Sequence, residues 1–84
     1  MKLPNGDTAV IEVPELEIFS VVAVLRDVPE HHLVRGQVGT IVEELSPGVH
    51  LVEFSDDEGR AYALASLPSE DLMRLRHNPL ERVA

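Results

Sequence analysis

Glycine and proline recur so closely along this chain that every apolar stretch between them is of strand length. Pro29, Gly36, Gly39, Pro47, Gly48, Gly59 and Pro68 cut residues 20–76 into runs of ten residues or fewer. A helix that short gains too few hydrogen bonds to offset nucleation, and the runs SVVAVL, VGTIVEEL and VHLVEFS are rich in β-branched residues that suit a pleated surface. The expectation is therefore strands, at 20–25, 38–45, 49–55, 60–66 and 73–76. A proline-bearing loop at 26–35 precedes the second strand, and one helical or 3₁₀ turn at 67–72 precedes the last.

The turns are specified chemically. Ser46-Pro47-Gly48 sets a corner by the fixed φ of proline followed by the permissive glycine, and Asp56-Asp57-Glu58-Gly59 reads as a tight turn ending in a bulge. Gly36 and Gly39 bracket the entry to the second strand; Gly39 lies inside it, where a missing side chain marks a bulge, a bend or a close neighbour. Gly36, Gly39, Gly48 and Gly59 are thus structural turn positions. Alternation places Val38, Thr40 and Val42 on one face of the second strand and Ile41 and Glu43 on the other. Val52 pairs with Phe54 on the third strand, and Tyr62 with Leu64 on the fourth. The fold expected is all-β: a small five-stranded SH3-like antiparallel barrel at 18–76. It carries an N-terminal extension at 1–17, where only residues 9–13 suit a short strand, and a fraying tail at 77–84.

Eighty-four residues support one core, since so short a chain buries only about 60–65% of its unfolded surface. Fifteen acidic against seven basic residues give a formal charge of -8, which repels phosphate backbones and argues against nucleic-acid binding. The same field favours encounter with a basic protein. Cysteine is missing, which removes disulfides and thiolate metal sites and fits a cytoplasmic location. Residues 1–10 hold a polar turn instead of an apolar run, and nothing approaches the roughly 20 apolar residues needed to span a bilayer, so no membrane is expected.

Side chains capable of chemistry are few. His31 and His32 are adjacent, and neighbours on extended backbone point apart; His50 and His77 lie far off in sequence, so no metal, cofactor or catalytic set is expected. The acids Asp56, Asp57 and Glu58 are contiguous, unlike the twelve-residue spread of a calcium loop. The serines lack a nucleophile-elbow context, and a barrel of this size has no room for a ligand cavity. No enzyme is expected. The partner-binding candidates are Val28, His31, His32 and Leu33 in the loop, with Val34 beside them, and an acidic face of Glu43, Glu53, Asp56 and Asp57 joined by Glu44. Self-association through an open strand edge, with residues 9–13 of another copy as the added strand, is a further expectation.

The segments RGQVGTIVEE and VHLVEFSDDEGRAYALASLPSEDL resemble a bacterial family of small proteins catalogued as domain of unknown function 4926, with an L-x-R-G-x-V-G-T-I-V strand and a V-E-F-x-D-x-x-G hairpin, from about residue 16 to 76. The resemblance implies the SH3-like barrel and no reaction. More distantly, the segment is similar to SH3-like domains of the nitrile hydratase β-subunit and its activators, and of the ferredoxin-docking subunit of photosynthetic complex I. Those imply docking on a partner protein or service as an accessory subunit of an enzyme. The glycine segment is also similar to the KOW motif, whose RNA binding the acidic balance opposes. MKLPNGDTAVIEVPEL looks like the opening of a second bacterial family beginning K-L-P-N-A and often encoded beside the first. That pairing implies a two-gene module in which this chain is an antitoxin or immunity protein for a neighbouring toxin.

Overall fold

The computed structural model describes residues 16–76 and residue 78; the strand expected at 9–13, the tail beyond 78 and His77 lie outside the described residues. Five antiparallel strands form one sheet, β1 (Val21–Val24), β2 (Val38–Ser46), β3 (Val49–Ser55), β4 (Ala61–Pro68) and β5 (Leu72–Arg74), in the order β4-β3-β2-β1-β5. Among the described residues there is no α-helix, and no helix is long and apolar enough to cross a membrane. β2, β3 and β4 are a meander. The chain then returns through a 3₁₀ turn, Ser69–Asp71, to set β5 beside β1, a pairing that brings the first and last strands together.

One contiguous core unites the strands. Val22, Val24, Ile41, Val52, Phe54, Ala65, Leu67 and Leu72 alternate onto its face, and Leu16 and Ala63 pack at its margin. With Val52 and Phe54 fully buried, the pairing read from alternation in β3 is the core face of that strand.

The turns follow the residues that demand them. Ser46 pairs with Val49 across Pro47-Gly48, and Gly48 takes a φ of 79°, the left-handed value a corner after proline requires. At the β3–β4 corner Gly59 N–H donates to Asp56 O at 2.9 Å and Asp56 N–H to Arg60 O at 2.9 Å, with Gly59 at φ 82° closing the turn. Gly39 serves a different purpose. A Cβ there would lie 2.8 Å from Phe54 Cδ2 and from Val52 Cγ1, and 2.9 Å from the Glu53 carbonyl oxygen. The bare position leaves the room on the core face of β2 that the Phe54 ring and the Val52 side chain occupy.

Four expectations are corrected. The loop expected at 26–35 contains a second 3₁₀ turn, Pro29–His31, with proline at the position where its missing N–H costs nothing, and it is not exposed throughout. Val28 and Leu33 form an antiparallel bridge, with N–H···O distances of 2.9 and 3.1 Å, and both side chains enter the core. In β2 the register shifts between Ile41 and Glu43, so Val42 is an extra residue and Glu43 pairs with Leu51, opposite Ile41 in facing; the bulge, not simple alternation, sets its side. In β4 a second shift inserts Tyr62 between the Phe54–Ala63 and Ser55–Ala61 pairs. Tyr62 therefore leaves Leu64's face and approaches Phe54, with ring centroids 6.4 Å apart.

Candidate partner-binding surface

Residues 25–37 form a braced excursion. Asp27 Oδ1 accepts the Arg35 N–H at 2.8 Å, Gln37 Oε1 accepts the Val34 N–H at 2.6 Å, and Val24 O accepts the Gly36 N–H at 2.7 Å. At its root Arg26 Nε lies 2.8 Å from Asp71 Oδ2, while the Leu25 N–H donates to Asp71 O at 2.8 Å, tying the excursion to the turn before β5. Because Val28 and Leu33 are buried, neither can meet a partner. Of the remaining partner-binding candidates in this segment, His32 and Val34 are exposed and His31 is half-buried. His32 holds a left-handed φ of 58° at the end of the 3₁₀ turn.

Strand register composes a more extensive surface on the sheet face away from the core. One row across four strands reads Leu64, Glu53, Thr40, Val21, and a neighbouring row reads Val38, Ala23, Met73. Directly opposed residues project to the same side, and strands stand about 4.8 Å apart, so the first row spans roughly 14 Å. Leu64 is 54% exposed, Met73 49%, Val38 46% and Val21 36%. A third row, Glu43, Leu51, Ser66, borders them. Glu53 and Glu43 thus fall on one face among aliphatic neighbours, whereas Glu44, expected beside them, pairs with buried His50 and so takes the other side of the sheet. Alternation had grouped Val38 with Thr40 without telling which side meets solvent.

Asp56 and Asp57 stand apart from this face at the β3–β4 tip. Asp56 Oδ1 accepts N–H groups of Glu58 at 2.9 Å and Arg60 at 3.0 Å, and its Oδ2 lies 3.5 Å from Arg60 Nε. Arg60 also pairs with Glu58. Asp56 is therefore occupied in shaping its turn, and Arg60 offsets much of the tip's charge; these exposed pairs contribute at most about 1 kcal/mol each. Asp57 remains as the outward carboxylate of the tip.

His50, unremarkable in the sequence, is 3% exposed and lies within the core face of β3, opposite Leu67. Its Nε2 is 2.6 Å from Ser69 Oγ, and Nδ1 is buried with no hydrogen-bond partner. Serine beside imidazole is the pairing of a nucleophile and a base. A base, however, needs a third group to orient it, and nothing among the described residues bonds Nδ1. The contact instead fastens the Ser69–Asp71 turn to β3, reinforced by the Ser69 N–H donating to Gly48 O at 2.9 Å. Among the described residues no three His, Cys, Asp or Glu side chains gather as a metal would require.

Comparison with curated proteins found no match, and comparison with solved structures found none. The family model described as Domain of unknown function (DUF4926) matches residues 18–74, an interval that runs from just before β1 to the last residue of β5 and so takes in the whole sheet. Covering more than half of the chain and every strand of its fold, that match makes this protein a member of the DUF4926 family.

Proposed function

We propose that this chain is a non-catalytic docking module that binds a partner protein through the outer face of its sheet, centred on Val38, Leu64 and Met73. The observation that carries the reading is the register: it sets these half-exposed apolar side chains in adjacent rows with Glu53 and Glu43 among them. An apolar patch interleaved with carboxylates fits a partner with apolar contacts ringed by lysine or arginine. The strand order, with a 3₁₀ turn returning β5 to β1, supports an SH3-like barrel as the scaffold, and the lack of cysteine supports work in the cytoplasm. The test is affinity capture from the native host with the intact chain, Leu64→Lys and Met73→Lys. A partner recovered by the intact chain and lost with both variants supports the reading; equal recovery by all three refutes it. Val34→Lys, on the 25–37 excursion and outside the rows of that face, serves as the exposed apolar control and retains the partner.

A second reading is favoured by the formal charge of -8: the partner is a basic toxin that the acidic face neutralises. Here expression of a neighbouring gene alone arrests growth, and co-expression of this chain, but not its Leu64→Lys variant, restores it. A harmless neighbour removes this reading while leaving docking intact.

A further inference from the structure

Among the described residues the sheet ends in two edges, and they are unlike. β5 at one edge is three residues long and carries Arg74, and shortness and charge both keep an edge from pairing. β4 at the other runs for eight residues, AYALASLP, without a charge in a chain that is 26% charged. Among the described residues its main chain bonds to β3 on one side and to nothing on the other. The Pro29–His31 turn comes close but bonds none of these groups.

The register identifies the spare groups. Ser69 N–H donates to Gly48 O, so the Val49–Pro68 pair lies between hydrogen bonds and Pro68 turns its main chain away from β3. Counting back by twos, Ser66 and Leu64 turn theirs the same way, while Leu67, Ala65 and Ala63 turn theirs toward β3. Pro68, with no N–H to leave unpaired, suits that edge, and the register shift at Tyr62 ends the run on the other side.

We propose that a second copy of this chain pairs with this edge, β4 against β4, antiparallel about a two-fold axis at Ala65. The spare groups place the axis. With Ala65 opposite Ala65, Leu64 and Ser66 of one copy exchange N–H···O bonds with Ser66 and Leu64 of the other, so both spare N–H groups of each run are met. An axis at Ser66 would set Leu64 against Pro68, which has no N–H to return, and an axis at Leu64 would set Ser66 against the bulged Tyr62. Side-chain sizes agree with the Ala65 axis: Leu64 faces Ser66, Leu67 faces Ala63, and small Ala65 sits where side chains of a non-hydrogen-bonded pair come closest. Just beyond the paired run, exposed Arg60 of one copy approaches the end that bears exposed Glu70 of the other, so opposite charges meet at both ends although each copy is acidic overall. A two-fold axis makes one run serve as both halves, which is what this self-complementary pattern fits. The pairing goes beyond the docking reading. Leu64 still projects to the outer face, and Val38 and Met73 stay open.

The test is sedimentation of the full chain over a range of concentrations, together with amide hydrogen exchange. The expected mass rises from one chain toward two with concentration. The Leu64 and Ser66 amides slow by about tenfold once roughly nine chains in ten are paired, while those of Ala63, Ala65 and Leu67 are protected throughout. Ser66→Pro removes a spare N–H without touching the β3 ladder and leaves a single chain with the Ala65 amide still protected. Ser66→Lys, which sets a charge on the edge without altering the backbone, gives the same result should proline disturb β4. A chain that stays single at every concentration overturns the proposal, as does a dimer that survives both substitutions. So do Leu64 and Ser66 amides protected equally in dilute solution, which would mean that the chain covers this edge itself. Partner capture by the outer face is read separately and stands in each of these outcomes.

Discussion

Replacing Gly39 by alanine tests whether one missing side chain makes the room that Val52 and Phe54 fill. The added methyl would stand 2.8 Å from Phe54 Cδ2 and Val52 Cγ1 and 2.9 Å from Glu53 O. Carbon pairs prefer about 3.5–4.0 Å, so each contact is short by roughly 1 Å. Neither hydrocarbon can yield, since Val52 and Phe54 are both fully buried, and the third obstacle is main chain of β3. Overpacking of this kind costs about 1–3 kcal/mol, and the immovable carbonyl places Gly39→Ala at the upper end, roughly 3 kcal/mol. At about 4–8 °C per kcal/mol for a domain of this size, the midpoint of thermal unfolding falls by about 12–24 °C. Circular dichroism melts and urea titrations measure it. Because φ at Gly39 is not left-handed, asparagine there is worse than alanine. At Gly48, with φ 79° and open space around it, the order reverses, because asparagine tolerates the conformation. Phe54→Leu combined with Gly39→Ala should cost less than the two changes summed, as neighbours sharing one space do. A midpoint for Gly39→Ala within a few degrees of the unaltered chain would refute the account of Gly39 as the space that Val52 and Phe54 fill.

Leu33→Ala destabilises by about 2–5 kcal/mol in urea titration, the range for emptying a filled core site, whereas Val34→Ala, one residue on and exposed, changes stability by no more than about 0.5 kcal/mol. At the buried imidazole, Ser69→Ala strands Nε2 as well as Nδ1 and costs about 1–3 kcal/mol; the double change His50→Leu with Ser69→Ala removes the polar atoms together and restores most of that loss. Asp56→Ala deletes the acceptor of two turn N–H groups and lowers stability by about 1 kcal/mol, while Asp56→Asn, which keeps an oxygen there, loses less. Adding salt lowers the stability of an Arg26→Ala variant no more than that of the unaltered chain, since the exposed Arg26–Asp71 pair contributes at most about 1 kcal/mol and is itself screened.

The strands, their lengths and the two tight turns were legible in the residues because they depend on local chemistry: β-branched runs, proline at a corner, glycine where φ must be positive. β3 falls at Val49–Ser55 as expected, and β1, β2, β4 and β5 differ from expectation only at their ends. The candidate surface was less legible. A period of two tells which residues share a face but not which face is covered, and one inserted residue reverses the assignment. Val42 does this to Glu43, and Tyr62 does it to its own pairing with Leu64. Val28 and Leu33 show the same limit in depth: a segment bearing a proline and two histidines reads as surface until the sheet supplies apolar walls for it. Local sequence determined where this chain extends and where it turns. Only the three-dimensional closure decided which side chains meet water, because burial depends on contacts between residues far apart along the chain.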